Sequence, residues 1–360
     1  MLKKITVKNY RRFEDVTIDL GNIVLIAGKN GTGKSSFVEL LYKLRLFIVS
    51  DGPDNHVESL LSTLDLPRWK AYKDDQVQTA FSIEWEYSEG VFKWDLLAQY
   101  TKLESKYRVI YERLTHNSEG LYISTYEHNI ARTFSDNKNS FEEFPVDWIH
   151  SNLRLASRIN SKIRFFLEEI GTKIWSTCIT PETMIDGAGY FDFYGNNFSK
   201  LFYRTSSMNI EVMGTIAQSY KDFLPNCTHT AFSPQDGTLV IIERGGANKE
   251  FSLRFSELSA GQKKLCIYYT ILKIALPGST LIFDEFENHL SPVELVPLYQ
   301  RMQEEQEAKD LQVVIVSHHH KTLNWYNDVA LVFTLVGEPA SIKIVEKDEN
   351  ATVIEMMARG

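Results

Sequence analysis

The run NIVLIAGKNGTGKSS, residues 22–36, constrains the fold more than any other part of the chain. An apolar strand-like stretch ends at Gly28, and a helical pattern starts at Ser35 and runs to about Phe47. Phe37, Val38, Leu40, Leu41, Leu44 and Phe47 form its apolar positions. Gly28, Gly33, Lys34 and Ser35 satisfy G-x-x-x-x-G-K-[ST] between that strand and helix. Glycines let the loop turn tightly, so that backbone N–H groups and the positive end of the helix face an anion. The loop Gly28, Lys29, Asn30, Gly31, Thr32, Gly33, Lys34, Ser35 and Ser36 is therefore expected to hold a nucleoside triphosphate. Lys34 is expected to reach the β- and γ-phosphates, and the Ser35 hydroxyl to ligate Mg2+.

Such a loop needs a second strand carrying acid for the metal, and STLIFDEFENHLSP supplies one. Asp284, after Leu281, Ile282 and Phe283, is placed to hold Mg2+, and Glu285 to act as general base on the attacking water. A guanine reader of the form Asn-Lys-x-Asp is missing. The nearest string, Asn137-Lys138-Asn139-Ser140, lacks both the aspartate and a preceding strand, which favours ATP.

Upstream lies FSELSAGQKKL, residues 255–265, followed by an apolar-periodic helix to about Leu276. Leu258-Ser259-Ala260-Gly261-Gln262 resembles the LSGGQ signature of the ATP-binding cassette (ABC) ATPases, departing only at its third position. Ser259, Gly261 and Gln262, at a helix N-terminus, make a second anion site. The resemblance implies that this site caps the γ-phosphate bound by an opposite subunit, so that two ATPs join a head-to-tail homodimer or a higher homo-oligomer. It also implies that His318, behind Ser317 in VVIVSHHHKTL, touches the γ-phosphate. Three consecutive histidines point in different directions and do not converge readily on one metal, so His319 and His320 are read as bystanders.

Within the ABC ATPases, KNYRRFEDVTIDL resembles the opening of RecF-type and chromosome-maintenance-type heads. DEFENHLSP resembles the soluble AAA-labelled ATPases of OLD nucleases and of anti-phage systems such as Septu, retron-associated and PARIS-like ATPases, which places Asn288 and His289 in the loop facing the opposite subunit. Arg11 or Arg12 is the candidate for a basic residue approaching the nucleotide, and Thr180-Pro181-Glu182 the nearest substitute for the family's glutamine. No long coiled coil is evident, and the stretch after residue 335 is expected to be too short for a Toprim nuclease. The resemblance covers residues 1–48 and about 235–335, while about 50–230 carries no recognised motif.

Composition agrees with a globular chain of 360 residues, 43% hydrophobic and 24% charged. Its formal net charge of −8 does not advertise a nucleic-acid or anionic-membrane surface. Cys178, Cys227 and Cys266 are widely spaced, as free thiols would be. Neither a membrane span nor a signal peptide is legible, so the expected location is cytoplasmic. The expected class is α/β: an ABC-type P-loop ATPase head with a central mostly parallel sheet, an antiparallel β meander and a helical insertion. Residues 1–140 are assigned to the N-terminal part of the head, 141–225 to the helical insertion and 226–360 to the C-terminal part. In SNLRLASRINSKIRFFLEEIGTKIW an amphipathic helix is expected. The expected function is ATP hydrolysis whose dimerisation controls a separate effector, a nuclease or toxin, in anti-phage defence. The alternative is a RecF-like DNA-repair ATPase, with nucleic acid as a partner.

Overall fold

The computed structural model describes residues 1–50, 53–67, 74–126, 129–177, 198, 210–233, 238–246, 249–317, 319, 322, 330–336, 341–346, 353 and 356–357. The chain forms two units: Met1–Ser176 with Thr280–Ile282 and Gln312–Gly360, and Thr177–Ser279 with Phe283–Leu311. It opens with β1 (Leu2–Tyr10), β2 (Phe13–Asp19), β3 (Ile23–Gly28), α1 (Lys34–Val49) and the short α2 (Val57–Leu60). Six strands follow: β4 (Gln76–Tyr87), β5 (Gly90–Thr101), β6 (Lys106–His116), β7 (Glu119–Thr125), β8 (Ile130–Ser135) and β9 (Ser140–Pro145). Next come α3 (Leu153–Ser157), α4 (Ser161–Lys173), β10 (Ile174–Thr177), α5 (Ile210–Tyr220), β11 (Cys227–Phe232), β12 (Leu239–Arg244) and β13 (Glu250–Arg254). The remainder is α6 (Ala260–Ile274), β14 (Thr280–Phe283), α7 (Pro292–Lys309), β15 (Gln312–Val316), β16 (Ala330–Val336) and β17 (Ser341–Glu346).

In the first unit, alternating sequence gives an antiparallel sheet in the order β2-β1-β4-β5-β6-β7-β8-β9. Within β4, Val77, Phe81, Ile83 and Trp85 are buried while Gln76 and Gln78 face solvent, as a sheet with one covered face requires. That covered face hides the carboxylate of Glu112. It accepts from Trp94 Nε1 and Ser151 Oγ on one oxygen and from Tyr122 OH and Asn152 N on the other. Burial is the largest influence on Glu112 and pushes its carboxyl up, against these four donors.

The second sheet runs β10-β14-β15-β3-β16-β17. β15 and β16 both lie parallel to β3, and β17 returns antiparallel to β16. Every residue of β15 is buried, which is why QVVIV reads as an apolar run rather than an alternation. Its one polar side chain, Gln312, is satisfied throughout. Nε2 donates to the carbonyls of Leu2 and Gly21, and Oε1 accepts from the Thr280 hydroxyl.

The helix expected across 151–175 is broken. Asn160 caps α4, its Oδ1 accepting from Ile163 N at 3.0 Å, and its Nδ2 donates to the Phe134 carbonyl. An Asn side chain competing for backbone groups ends α3 and restarts α4. Ile174–Thr177 then leaves the helix to become β10.

In the second unit, β11, β12 and β13 form a three-stranded antiparallel sheet whose last hairpin turns at Gly245-Gly246. On α5, Tyr220 OH donates to the Cys266 carbonyl and shares a 2.7 Å bond with Thr270 Oγ1, tying α5 to α6. Cys227 and Cys266 are buried free thiols.

Candidate functional site

The phosphate-type loop follows β3 directly. Gly28 has φ 153°, and a Cβ there would come 2.5 Å from the Phe333 carbonyl oxygen and 2.7 Å from Thr32 Oγ1. Only glycine lets the loop pass so close to β16. Gly33, at φ 88°, is the left-handed residue that starts α1 and has no side chain to cap it. Lys34 is buried, and its Nζ donates to the carbonyls of Gly28 at 2.7 Å and Lys29 at 2.9 Å. The Thr32 hydroxyl donates to the Lys29 carbonyl at 2.8 Å. Lys29, Asn30, Gly31 and Ser35 are exposed, and Ser36 is half-buried. A glycine-turned loop wrapped on an ammonium at a helix N-terminus, beside a free-facing hydroxyl, is a donor set suited to a phosphate chain and a hard cation.

The two candidate arginines divide their roles. Arg12 Nη1 donates to the Gly31 carbonyl of the loop at 3.2 Å. Arg11 turns away into a cluster: Nε donates to Asp65 at 2.6 Å, and Nη1 to Glu39 at 2.8 Å and to Ser36 Oγ at 3.0 Å. Sequence reasoning missed Asp65, whose side chain is 0% exposed and whose partner lies 54 positions away.

The acidic strand end lies in the second unit. Asp284 is buried, and its Oδ1 accepts from Glu285 N at 3.0 Å. Glu285 is exposed with φ 48°, and its Oε2 accepts from Asn288 Nδ2 at 2.7 Å. Ser259 caps α6 reciprocally: its Oγ accepts from Gln262 N at 3.2 Å, and Gln262 Oε1 accepts from Ser259 N at 3.0 Å. Gly261 lies flush on the turn after Glu285, where a Cβ would approach the His289 carbonyl oxygen to 2.6 Å. The structure thus brings Ser259, Gly261 and Gln262 together on the helix that packs against the residues following Glu285. Lys264, also on α6, was missed; its signal was a second lysine directly before the apolar run LCIYYTIL.

His318, His320 and Thr180-Pro181-Glu182 lie outside the described residues. His319 is described, and its backbone N donates to Ser317 Oγ at 3.0 Å. Among the described residues no group of His, Cys, Asp and Glu side chains converges as a metal site, and no helix is long and apolar enough to cross a membrane.

Solved structures share the fold. The crystal structure of an Smc head bound to the C-winged-helix domain of ScpA superposes with TM-score 0.59 and 11% identity, covering 96% of this chain and 98% of that one. The Smc head of Pyrococcus furiosus with an extended coiled coil, bound to the C-terminal domain of ScpA, gives TM-score 0.50 and 9% identity, covering 99% and 98%. At such identity the likeness is one of fold, that of an ABC-type P-loop ATPase head. A search of curated proteins finds no match. A family profile described as "AAA domain, putative AbiEii toxin, Type IV TA system" matches residues 23–324.

Proposed function

The chain belongs to this AbiEii-type AAA domain family, and on that premise we propose that it binds and hydrolyses ATP and, by ATP-dependent dimerisation, regulates a separate effector in anti-phage defence. The observation that carries the reading is the loop itself, a buried Lys34 ammonium held by the carbonyls of Gly28 and Lys29. Those carbonyls are weak substitutes for phosphate oxygens, so a triphosphate draws the ammonium to its β- and γ-phosphates. Residues 28–36 supply the remaining donors. Ser35 and Asp284 would hold Mg2+, which when bound neutralises charge on the phosphate oxygens. Glu285 accepts the proton of the attacking water, and His318 donates a hydrogen bond to the γ-phosphate.

Dimerisation follows from the signature turn. Ser259 Oγ accepts within its own capping box, which leaves its O–H to donate to an oxyanion. Gly261 adds a backbone donor in the first turn of α6. An opposite subunit's γ-phosphate is the ligand such a turn suits. The two Smc heads carry a protein partner in their crystals, which supports a protein as the effector; a nuclease or toxin, acting with the head in the cytoplasm, is the effector we propose. A second reading, a RecF-like DNA-repair ATPase, rests on the opening KNYRRFEDVTIDL.

The test combines two variants with light scattering and phosphate release. Lys34→Ala is expected to lose tight ATP binding. Glu285→Gln is expected to keep binding, lose turnover by about a hundredfold or more, and accumulate as an ATP-bound dimer. Parental turnover in Glu285→Gln would remove the base assignment. Co-purification with a neighbouring-gene nuclease or toxin supports the effector reading. Salt-sensitive DNA binding strengthened by ATP would instead support the repair reading.

A further inference from the structure

Lys264 lies two residues after Gln262 on α6 and is 0% exposed. A buried ammonium is costly unless hydrogen bonds compensate it, and helix packing alone would be served by an apolar side chain such as the adjacent Leu265. Lys264 Nζ donates at 2.6 Å to the main-chain carbonyl of Glu285, and it stands 5.6 Å from the centroid of the Tyr268 ring.

What it holds is unusual. Glu285 occupies the left-handed region, φ 48°, which a residue with a side chain adopts at a cost and only where its surroundings hold it. The Glu285 carbonyl also accepts from Asn288 N at 3.1 Å. Asn288 Nδ2 donates to the carboxylate at 2.7 Å, and Asp284 Oδ1 accepts from Glu285 N at 3.0 Å. Asp284 and Asn288 are sequence neighbours within the turn. Lys264 is the anchor that comes from another element, the helix whose first turn carries Ser259, Gly261 and Gln262. The close approach of Gly261 to His289 seals the same helix against the same turn.

We propose that Lys264 is a positioning residue. It fixes the strained backbone of Glu285 to the signature helix, so that engagement of the signature turn sets the direction of the carboxylate. The proposal rests on Glu285 as general base. Lys264→Met removes the ammonium at similar length. It is expected to lower kcat for ATP hydrolysis at least tenfold while the KM for ATP stays within twofold, and Lys264→Arg is expected to recover part of the loss. In a Glu285→Gln background, where there is no base left to aim, Lys264→Met should cost no further rate. A folded Lys264→Met with kcat within twofold of the parent overturns the proposal, as does an equal loss in the Glu285→Gln background. Should the methionine variant not fold, Lys264→Leu, which also lacks a donor, is read by the same criteria. Parental turnover in Glu285→Gln alone would locate the failure in the base assignment rather than in Lys264.

Discussion

Asp65 shows how one side chain settles the posture of another far away in sequence. Its Oδ2 accepts from Ser62 N at 2.9 Å and Ser62 Oγ at 3.0 Å, and its Oδ1 from Arg11 Nε at 2.6 Å. Arg11 holds φ 50°, and its backbone N–H donates to the Asp65 carbonyl at 2.7 Å. Burial alone would raise the Asp65 pKa. The Ser62 N–H, Lys43 and Arg11 outweigh it and hold the carboxyl below its ordinary value. A carboxylate depressed in the folded state contributes stability that is complete above its unfolded pKa, about 3.9, and is lost as pH falls through the folded value. Asp65→Ala is expected to cost about 3 kcal/mol at neutral pH, because it strands part of a buried ion pair. Urea denaturation measures this, and the difference from the parent should shrink below about pH 4. A pH-independent difference would place the effect in packing instead.

At the scale of elements, α6 and the turn after β14 work as one piece. Replacing Gly261 by Ala raises helix propensity by about 1 kcal/mol. The new Cβ, however, would meet the rigid His289 carbonyl at 2.6 Å. Overpacking against backbone costs about 1–3 kcal/mol, so the clash is expected to win. Gly261→Ala should lower the melting temperature and the turnover together, and a stabilised variant would show that helix and turn are free to separate. The elements legible in the sequence were those whose local pattern and tertiary role agree. The strand–loop–helix at 22–47 and the apolar runs at 280–283 and 312–316 needed no distant information. Less was legible where long-range pairing decides. That β1 and β2 extend the meander sheet rests on β1 pairing with β4, from Lys8 with Ala80 to Leu2 with Trp85. Asn160 falls inside the stretch expected as one helix, and its partner, the Phe134 carbonyl, is on a strand 26 positions earlier. Lys264 escaped notice for the same reason: nothing local points it at Glu285, 21 positions on.

At the scale of the molecule, the dimerisation reading has a sharp handle in Ser259. Ser259→Arg puts a long cation where a small hydroxyl caps α6, on an exposed turn. It is expected to leave nucleotide binding at the loop of residues 28–36 within about threefold while removing the ATP-dependent dimer, because on the dimerisation reading this turn meets the opposite subunit's nucleotide. Sedimentation of Ser259→Arg in the Glu285→Gln background reads the two effects separately, and a dimer that persists would move the interface elsewhere. The order of the second sheet carries a last consequence, for how the protein is made. β3, which delivers the phosphate loop, sits between β15 and β16. At about 5–20 residues per second, a ribosome needs roughly 15–60 seconds after finishing β3 to produce both neighbours. Through that interval a fully apolar strand has two open edges, which are sites for pairing with another chain. The nascent protein is therefore a natural client for chaperones, and its ATP-binding loop acquires its final shape only once nearly all of the described chain has emerged.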